Sequence, residues 1–158
     1  MVKKFVVLCI SVFLVFISMV SFAEEKSLNR ETSEKPIVQI NFSSWIQESF
    51  RISPDSKHIA YAAMAGNKMF VVVDGKEGKE YDSLGVPLFS SDNKHVAYVA
   101  KAGNKQFVVV DGKEGKEYNG IVTLEGGKIV FDSFDSLHYL AVKDKGIYLL
   151  VEEKIRDN

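Results

Sequence analysis

Residues 55–84 read DSKHIAYAAMAGNKMFVVVDGKEGKEYDSL, and residues 92–121 read DNKHVAYVAKAGNKQFVVVDGKEGKEYNGI. The two segments lie 37 residues apart, and 22 of their 30 positions are identical. Identity at this density indicates an internal repeat, and a period of about 40 residues matches that of propeller blades. The repeat therefore has to be explained before any single motif in the chain.

A third and more divergent copy follows the second. Residues 134–141 take the place of residues 91–98, and residues 147–154 stand where residues 107–113 stood, with an insertion or deletion between them. Atypical terminal copies are common in repeat arrays. The sequence therefore predicts three repeats, over about residues 48–84, 85–121 and 128–154.

Each full copy divides into four predicted strands that are separated by turn residues. In the first copy a short strand ends at Ser53-Pro54-Asp55-Ser56, and the second and third strands cover residues 58–63 and 70–73. Asp74-Gly75 then turns the chain into a polar fourth strand around Tyr81. The second copy repeats this order with the same spacing.

The third strand of each full copy is continuously apolar, as in Phe70-Val71-Val72-Val73. A strand without polar alternation is predicted to bury both faces, whereas a lone antiparallel sheet in water leaves one face polar. Sheets stacked face to face in a ring bury both faces, and a polar fourth strand protects the edge. We therefore predict an all-β fold of antiparallel four-stranded β-propeller blades, with about three blades per chain.

The turn between the first two strands carries a family resemblance. Residues 50–61, FRISPDSKHIAY, resemble the F-S-P-D-G-K-x-I-A-Y motif of WD40-like repeats in bacterial TolB-type propellers. The resemblance covers about residues 45–154 and implies blades of the kind found in periplasmic scaffolds and in some serine peptidases. Ser56 and Asn93 stand where the motif usually has glycine, and the second and third copies lack its proline.

Closing a ring from these copies needs more strands than the repeats supply. The third copy has predicted strands near residues 128–131, 138–142 and 147–151 and no fourth, while residues 37–42 alternate apolar with polar like a half-buried strand. Single-chain propellers have about 4 to 8 blades. We predict a head-to-tail homodimer in which this N-terminal strand completes the last blade of the neighbour. A monomeric open arc of three blades and a fragment of a longer chain are the alternatives.

The N-terminus has the features of a secretory signal. Lys3 and Lys4 precede an apolar stretch over residues 5–20, and Ser21-Phe22-Ala23 places small residues where signal peptidase cleaves. We predict a cleaved signal over residues 1–23, and a periplasmic or secreted location. If the signal stays uncleaved it anchors the protein in the membrane, with the body on the same outer side.

Charge and cysteine content exclude several classes of function. The mature chain would carry 18 basic and 21 acidic residues with interspersed signs, so no basic stripe is available for nucleic acid. The only cysteine, Cys9, lies in the signal, which excludes a disulfide scaffold and a cysteine nucleophile. The predicted domains are the signal (residues 1–23), a polar linker (24–36) and the repeat domain (37–158).

The residues with potential chemistry all repeat with the blade. The three histidines occupy the same repeat position, and so do three turn aspartates: His58, His95, His138, Asp55, Asp92 and Asp135. Three imidazoles can bind a metal, but the favoured interpretation has each histidine hydrogen-bonded to turn groups, and each aspartate forming its turn. The sequence therefore assigns no catalytic residue, no cofactor and no metal site.

Every candidate side chain recurs in each copy, and such recurrence is better explained by a structural role in the blade than by a catalytic role. The favoured function is a scaffold that binds a protein or peptide on a ring face or at a strand edge, and not an enzyme. The alternative is an enzyme or enzyme accessory, such as a hydrolase-associated propeller, that uses the ring axis.

Overall fold

A computed structural model describes residues 30–123 and 128–156 of the chain. The chain divides into two units, residues 1–34 and residues 35–158. In the first unit, residues 30–34 are exposed and have no regular secondary structure. The predicted signal lies outside the described residues. No helix in the described part of the chain is long and apolar enough to cross a membrane.

The second unit begins with a four-stranded antiparallel sheet, called sheet 1. Its strands, in the spatial order β1-β2-β3-β4, are Arg51–Ile52, Ile59–Ala65, Lys68–Val73 and Lys76–Glu77. β2 and β3 form the predicted central hairpin, and their pairing runs from Ala60↔Val73 to Ala65↔Lys68. The predicted fourth strand is confirmed in two pieces, because beyond β4 Tyr81 pairs with Met69 as an isolated bridge.

Sheet 2 repeats this arrangement, with two separate strands before the hairpin; in sheet 1 the first of these is reduced to the single bridge Trp45↔Ala63. Its strands β5 to β9 are Ser83–Leu84, Leu88–Phe89, Val96–Ala102, Lys105–Val110 and Lys113–Glu114. Both β5 and β6 pair with β7, and β8 and β9 follow on its other side. Ser83 and Leu84 close the first predicted repeat, yet they pair with β7. The chain therefore enters the second sheet before the predicted repeat boundary.

Sheet 3 contains the divergent copy. Its strands β10 to β13 are Gly120–Ile121, Val130–Ser133, Ser136–Lys143 and Ile147–Lys154. β10 and β11 both pair with β12, and β13 pairs with β12 along its whole length. The three strands predicted for this copy are confirmed with shifted or longer bounds. Within residues 30–123 and 128–156 no strand takes the fourth position.

The three sheets stack through apolar clusters. Sheets 1 and 2 share the first cluster: Ala60, Val71, Tyr81, Val96, Tyr98, Ala100, Phe107 and Val109. Sheets 2 and 3 share the second: Ala97, Val99, Val108, Tyr118, Ile121, Ile129, Leu137, Tyr139 and Ala141. Of the runs predicted to be buried on both faces, residues 70–72 of β3 and 107–109 of β8 are buried, whereas Val73 and Val110 are partly exposed. Each such large apolar side chain contributes about 1.5–3 kcal/mol to folding.

The predicted strand over residues 37–42 is wrong. These residues belong to no sheet; Val38 and Ile40 pack instead with Trp45 and Phe50 on the free face of sheet 1. The alternation correctly indicated one apolar face, but that face covers side chains and does not extend a hydrogen-bonded ladder. The proposed completion of a neighbouring blade by this strand therefore loses its basis, while dimerisation itself stays a prediction.

Candidate functional site

The last strand of the described residues has one edge that no other described strand pairs with. β13 pairs with β12 from Ser136↔Lys154 to Lys143↔Ile147, and no strand of the described residues pairs with its other side. In sheets 1 and 2, the equivalent strands β3 and β8 are paired on both sides. An unpaired eight-residue strand is a template for the addition of another chain.

The pairing of β12 defines which residues of β13 correspond to those of β8. Ala141 pairs with Ile121 as Ala100 of β7 pairs with Leu84, so these two alanines are equivalent. Ala141 also pairs with Leu149, and Ala100 pairs with Phe107. Along β13 the equivalents of Gln106, Val108 and Val110 are therefore Tyr148, Leu150 and Glu152.

The covered edges show which main-chain groups point outward. In sheet 1, Met69 and Tyr81 exchange two backbone hydrogen bonds of 2.9 and 2.8 Å, and the Gly78 N–H donates to the Val71 carbonyl at 2.8 Å. In sheet 2, Gly115 donates to Val108 at the same 2.8 Å. By equivalence, the N–H and C=O groups of Tyr148, Leu150 and Glu152 point away from β12.

An apolar face adjoins this edge. Leu140 and Val142 of β12 lie beside Leu150 and Tyr148 of β13, and we call these four residues the outer face of sheet 3. Tyr148 is 69% exposed and Leu150 is 63% exposed. Val108, the equivalent of Leu150, is fully buried, because sheet 3 covers that face of sheet 2. The outer face of sheet 3 thus resembles an interface between two sheets that lacks its second sheet.

Two grooves run between neighbouring sheets. The larger, of about 530 Å³, lies between sheets 1 and 2 and has His58, Asp74, Lys79 and Tyr98 in its lining. The smaller, of about 190 Å³, lies between sheets 2 and 3 beside Glu153. Both grooves carry charges of each sign, and no single ligand chemistry follows from their lining.

Each histidine is held by its own aspartate. His58 Nδ1 lies 2.7 Å from Asp74 Oδ2, and the other carboxylate oxygen of Asp74 accepts the Ile59 N–H at 2.9 Å. His95 is held in the same way by Asp111 at 2.6 Å, whereas His138 contacts Asp132 at 2.7 Å. The bonds of His58 and His95 tie the start of the second strand to a turn. His138 instead lies within β12 and pairs with Val130 as Ala97 pairs with Leu88, so the prediction that all three histidines occupy the same repeat position is wrong. Within the described ranges, no three His, Asp or Glu side chains group as a metal site.

The repeated aspartates hold the turns between the first two strands. The hydroxyls of Ser53, Ser90 and Ser133 each donate to the aspartate two residues later at 2.6 Å. This hydrogen bond is the main cause of the lowered pKa of Asp55 and of Asp92. Their carboxylates also accept backbone N–H groups of the turn. The structure thus gives these carboxylates partners within their own loops.

Buried tyrosines anchor the sheets to one another. Burial is the main cause of the raised pKa of Tyr81, Tyr98 and Tyr139. The Tyr139 hydroxyl of β12 donates to the Glu153 carboxylate of β13 at 2.5 Å, which adds a side-chain link between these two strands. The buried Tyr81 hydroxyl has no hydrogen-bond partner among the described residues.

Sequence reasoning noted that the third copy has no fourth strand, but it did not predict which residues of β13 are exposed, because residues 147–151 have the continuously apolar pattern of a buried third strand. The absence of a fourth strand in the third copy was the signal that could have indicated exposure. No family model, no curated protein and no solved structure matches this chain. The resemblance of residues 50–61 to WD40-like repeats therefore rests on those residues alone.

Proposed function

We propose that this chain is an exported propeller-repeat module that binds an extended protein or peptide segment at the free edge of β13. The observation that carries the proposal is the contrast between this edge and those of β3 and β8, which fourth strands cover. Strand addition needs an extended edge with outward N–H and C=O groups, and β13 offers eight residues of it.

The side chains along the edge suit such binding. Main-chain hydrogen bonds give a strand-addition site its affinity, and pockets for alternate side chains give it specificity. Tyr148 and Leu150 supply exposed apolar area beside the edge, and tyrosine is enriched among residues that dominate binding energy. The outer face of sheet 3 can therefore contact every second side chain of an added strand.

The proposal takes the three sheets as blades of an open arc, in which no described strand occupies the fourth position of the third blade. It also takes the periplasmic or secreted location from the signal features of residues 1–23. Fractionation of the producing cells, with N-terminal sequencing of the mature chain, tests the location. A chain beginning at Glu24 outside the cytoplasm is expected, and a cytoplasmic chain that keeps residues 1–23 would contradict export.

Peptide selection tests the binding site. A displayed library of random extended peptides is selected on residues 24–158, and the selected peptides are measured against two variants. Tyr148→Pro removes one outward N–H without breaking a bond to β12, and proline is tolerated in edge strands. Tyr148→Ala removes the same side chain and keeps the N–H.

The selected peptides are expected to bind Tyr148→Pro at least about tenfold more weakly than they bind the parent. Their loss of affinity for Tyr148→Ala should be smaller than their loss for Tyr148→Pro. Circular dichroism and thermal melting establish that each variant is folded. If Tyr148→Pro unfolds, Leu150→Pro at the next outward position replaces it. Equal binding to the parent and to a folded proline variant places the peptide elsewhere and overturns the proposal.

A further inference from the structure

We infer that the β13 edge recognises an extended segment with the pattern Lys-Glu-Gly-x-x-Tyr. This inference rests on the proposed function and specifies its ligand. The repeat supplies the argument, because the equivalent edges of β3 and β8 are each covered by a segment with this pattern. Those segments are Lys76–Tyr81 and Lys113–Tyr118.

The glycine of the pattern follows from a close backbone approach. A Cβ added to Gly115 would lie 2.9 Å from the Val108 carbonyl oxygen, and one added to Gly78 would lie 3.1 Å from that of Val71. The glycine N–H donates to the same carbonyl in each sheet. The Leu150 carbonyl is the equivalent acceptor in β13, so an incoming strand needs glycine opposite it.

The tyrosine of the pattern follows from the bridge that ends each fourth strand. Tyr81 and Tyr118 exchange backbone hydrogen bonds with Met69 and Gln106, and both rings are buried between sheets. Tyr148 occupies the equivalent position in β13. An incoming tyrosine would pair with the Tyr148 backbone and place its ring over the outer face of sheet 3.

The lysine of the pattern meets a complementary charge. In sheet 2, Lys113 pairs directly across from Val110. The equivalent of Val110 in β13 is Glu152, which is exposed. Opposite charges directly across an antiparallel pair are stabilising by about 0.2–1 kcal/mol. The third copy thus carries an acidic residue where a basic incoming residue would lie.

The glutamate of the pattern corresponds to a lysine in sheet 2 that could bind it. Lys79 of sheet 1 binds Glu114 of the next fourth strand, with 2.7 Å between Nζ and Oε1. Lys116 is the repeat equivalent of Lys79, and it makes no salt bridge within the described part of the chain. A glutamate in a strand added to β13 would be the repeat equivalent of Glu114, and it would enter a region where the Glu153 carboxylate already lies, 3.4 Å from a Cβ built on Gly115.

Titration with synthetic peptides tests the pattern. The probe is the capped peptide Lys-Glu-Gly-Lys-Glu-Tyr-Asn-Gly, which has the sequence of residues 113–120, added to residues 24–158 of the protein. Isothermal calorimetry measures affinity, and NMR amide exchange locates the site. The probe is expected to bind and to protect the amides of Tyr148, Leu150 and Glu152.

Three altered peptides separate the contributions without changing the protein fold. Gly115→Val in the peptide introduces the close contact, and Tyr118→Ser removes the ring; each is expected to weaken binding at least about tenfold. Lys113→Glu in the peptide places like charges across from Glu152. We expect it to weaken binding to the parent and to regain affinity for the Glu152→Lys variant of the protein.

Two outcomes overturn the inference. One is affinity that stays unchanged in the Gly115→Val or Tyr118→Ser peptide, and the other is protection at the β3 or β8 edge, which would show exchange with an internal strand. A probe that fails to bind, while library peptides still bind the parent and lose affinity for Tyr148→Pro, overturns the pattern and leaves the proposed function standing. Library peptides that bind Tyr148→Pro and the parent with equal affinity overturn both the pattern and the proposed function.

Discussion

Four turn residues other than glycine hold a positive φ in the two full repeats: Ser56, Asp74, Asn93 and Asp111. The left-handed conformation costs an L-residue about 1–2 kcal/mol, and less for Asn and Asp because their side chains bond locally. Ser56 and Asn93 stand where the WD40-like motif has glycine. The turn predicted there from the sequence is present, and its backbone explains why that motif favours glycine.

Replacing Ser56 by glycine is expected to stabilise the protein. Ser56 has a φ of 59°, and glycine adopts this conformation without a steric penalty. The free energy of unfolding should rise by about 0.5–1 kcal/mol. Urea denaturation of parent and variant measures the difference, and a lower stability of Ser56→Gly would contradict the argument.

Asn93→Gly is the matched control at the equivalent position. Asn93 has a φ of 66°, but its side-chain oxygen also accepts the Asp55 N–H at 3.0 Å, which links sheet 2 to sheet 1. The lost hydrogen bond offsets the relief of backbone strain. We therefore expect Asn93→Gly to be neutral or destabilising, unlike Ser56→Gly.

Asp82 should make the stability of the fold depend on pH in the acidic range. Its carboxylate accepts hydrogen bonds from the Lys68 ammonium and the Gly103 N–H, both at 2.6 Å, and the bond from Lys68 is the main cause of its lowered pKa. A carboxylate with a lowered pKa stabilises the fold above its unfolded pKa, and that contribution disappears as the pH falls through the folded value. When the pH is lowered from 5 to 3, the urea midpoint of unfolding should therefore decrease less for Asp82→Asn than for the parent. Glu80→Gln serves as the control, and an equal loss in parent and Asp82→Asn would contradict this role.

At the scale of elements, periodicity predicted the burial of side chains better than the partners of the backbone. The hairpins β2–β3 and β7–β8 were predictable because their apolar runs are bounded by Asn and Gly turn residues. β5 and β10 were missed because Ser83–Leu84 and Gly120–Ile121 end the predicted repeats and were therefore assigned to the preceding copy. The error at residues 37–42 arose because alternation indicates an apolar face. It does not specify whether the segment pairs with a sheet edge or packs on a sheet face.

Gly115→Ala tests the close approach between the third and fourth strands of sheet 2. The added Cβ would lie 2.9 Å from the Val108 carbonyl, and the backbone would have to move. We expect a loss of about 1–3 kcal/mol in the free energy of unfolding. Gly120→Ala is the matched control, because its Cβ would meet nothing closer than 3.8 Å. Equal stabilities of the two variants would contradict the proposed geometry.

At the scale of the whole molecule, the two ends of the stack differ. The free face of sheet 1 is covered by Val38, Ile40, Trp45 and Phe50 of the same chain. The outer face of sheet 3 and the edge of β13 have no such cover among the described residues. The sequence predicted the number of sheets, but the difference between the ends depends on where a non-repeating segment packs, and no repeat pattern encodes that.

Amide hydrogen exchange along β13, measured by NMR on residues 24–158 without ligand, tests the open edge most directly. The account predicts alternation: the N–H groups of Leu149, Val151 and Glu153 are protected by β12, while those of Tyr148, Leu150 and Glu152 exchange at nearly unprotected rates. Met69 and Gln106, the equivalents of Tyr148, should be protected by their bonds to Tyr81 and Tyr118. Protection at every position of β13 would mean that another strand already covers the edge, and would contradict the account.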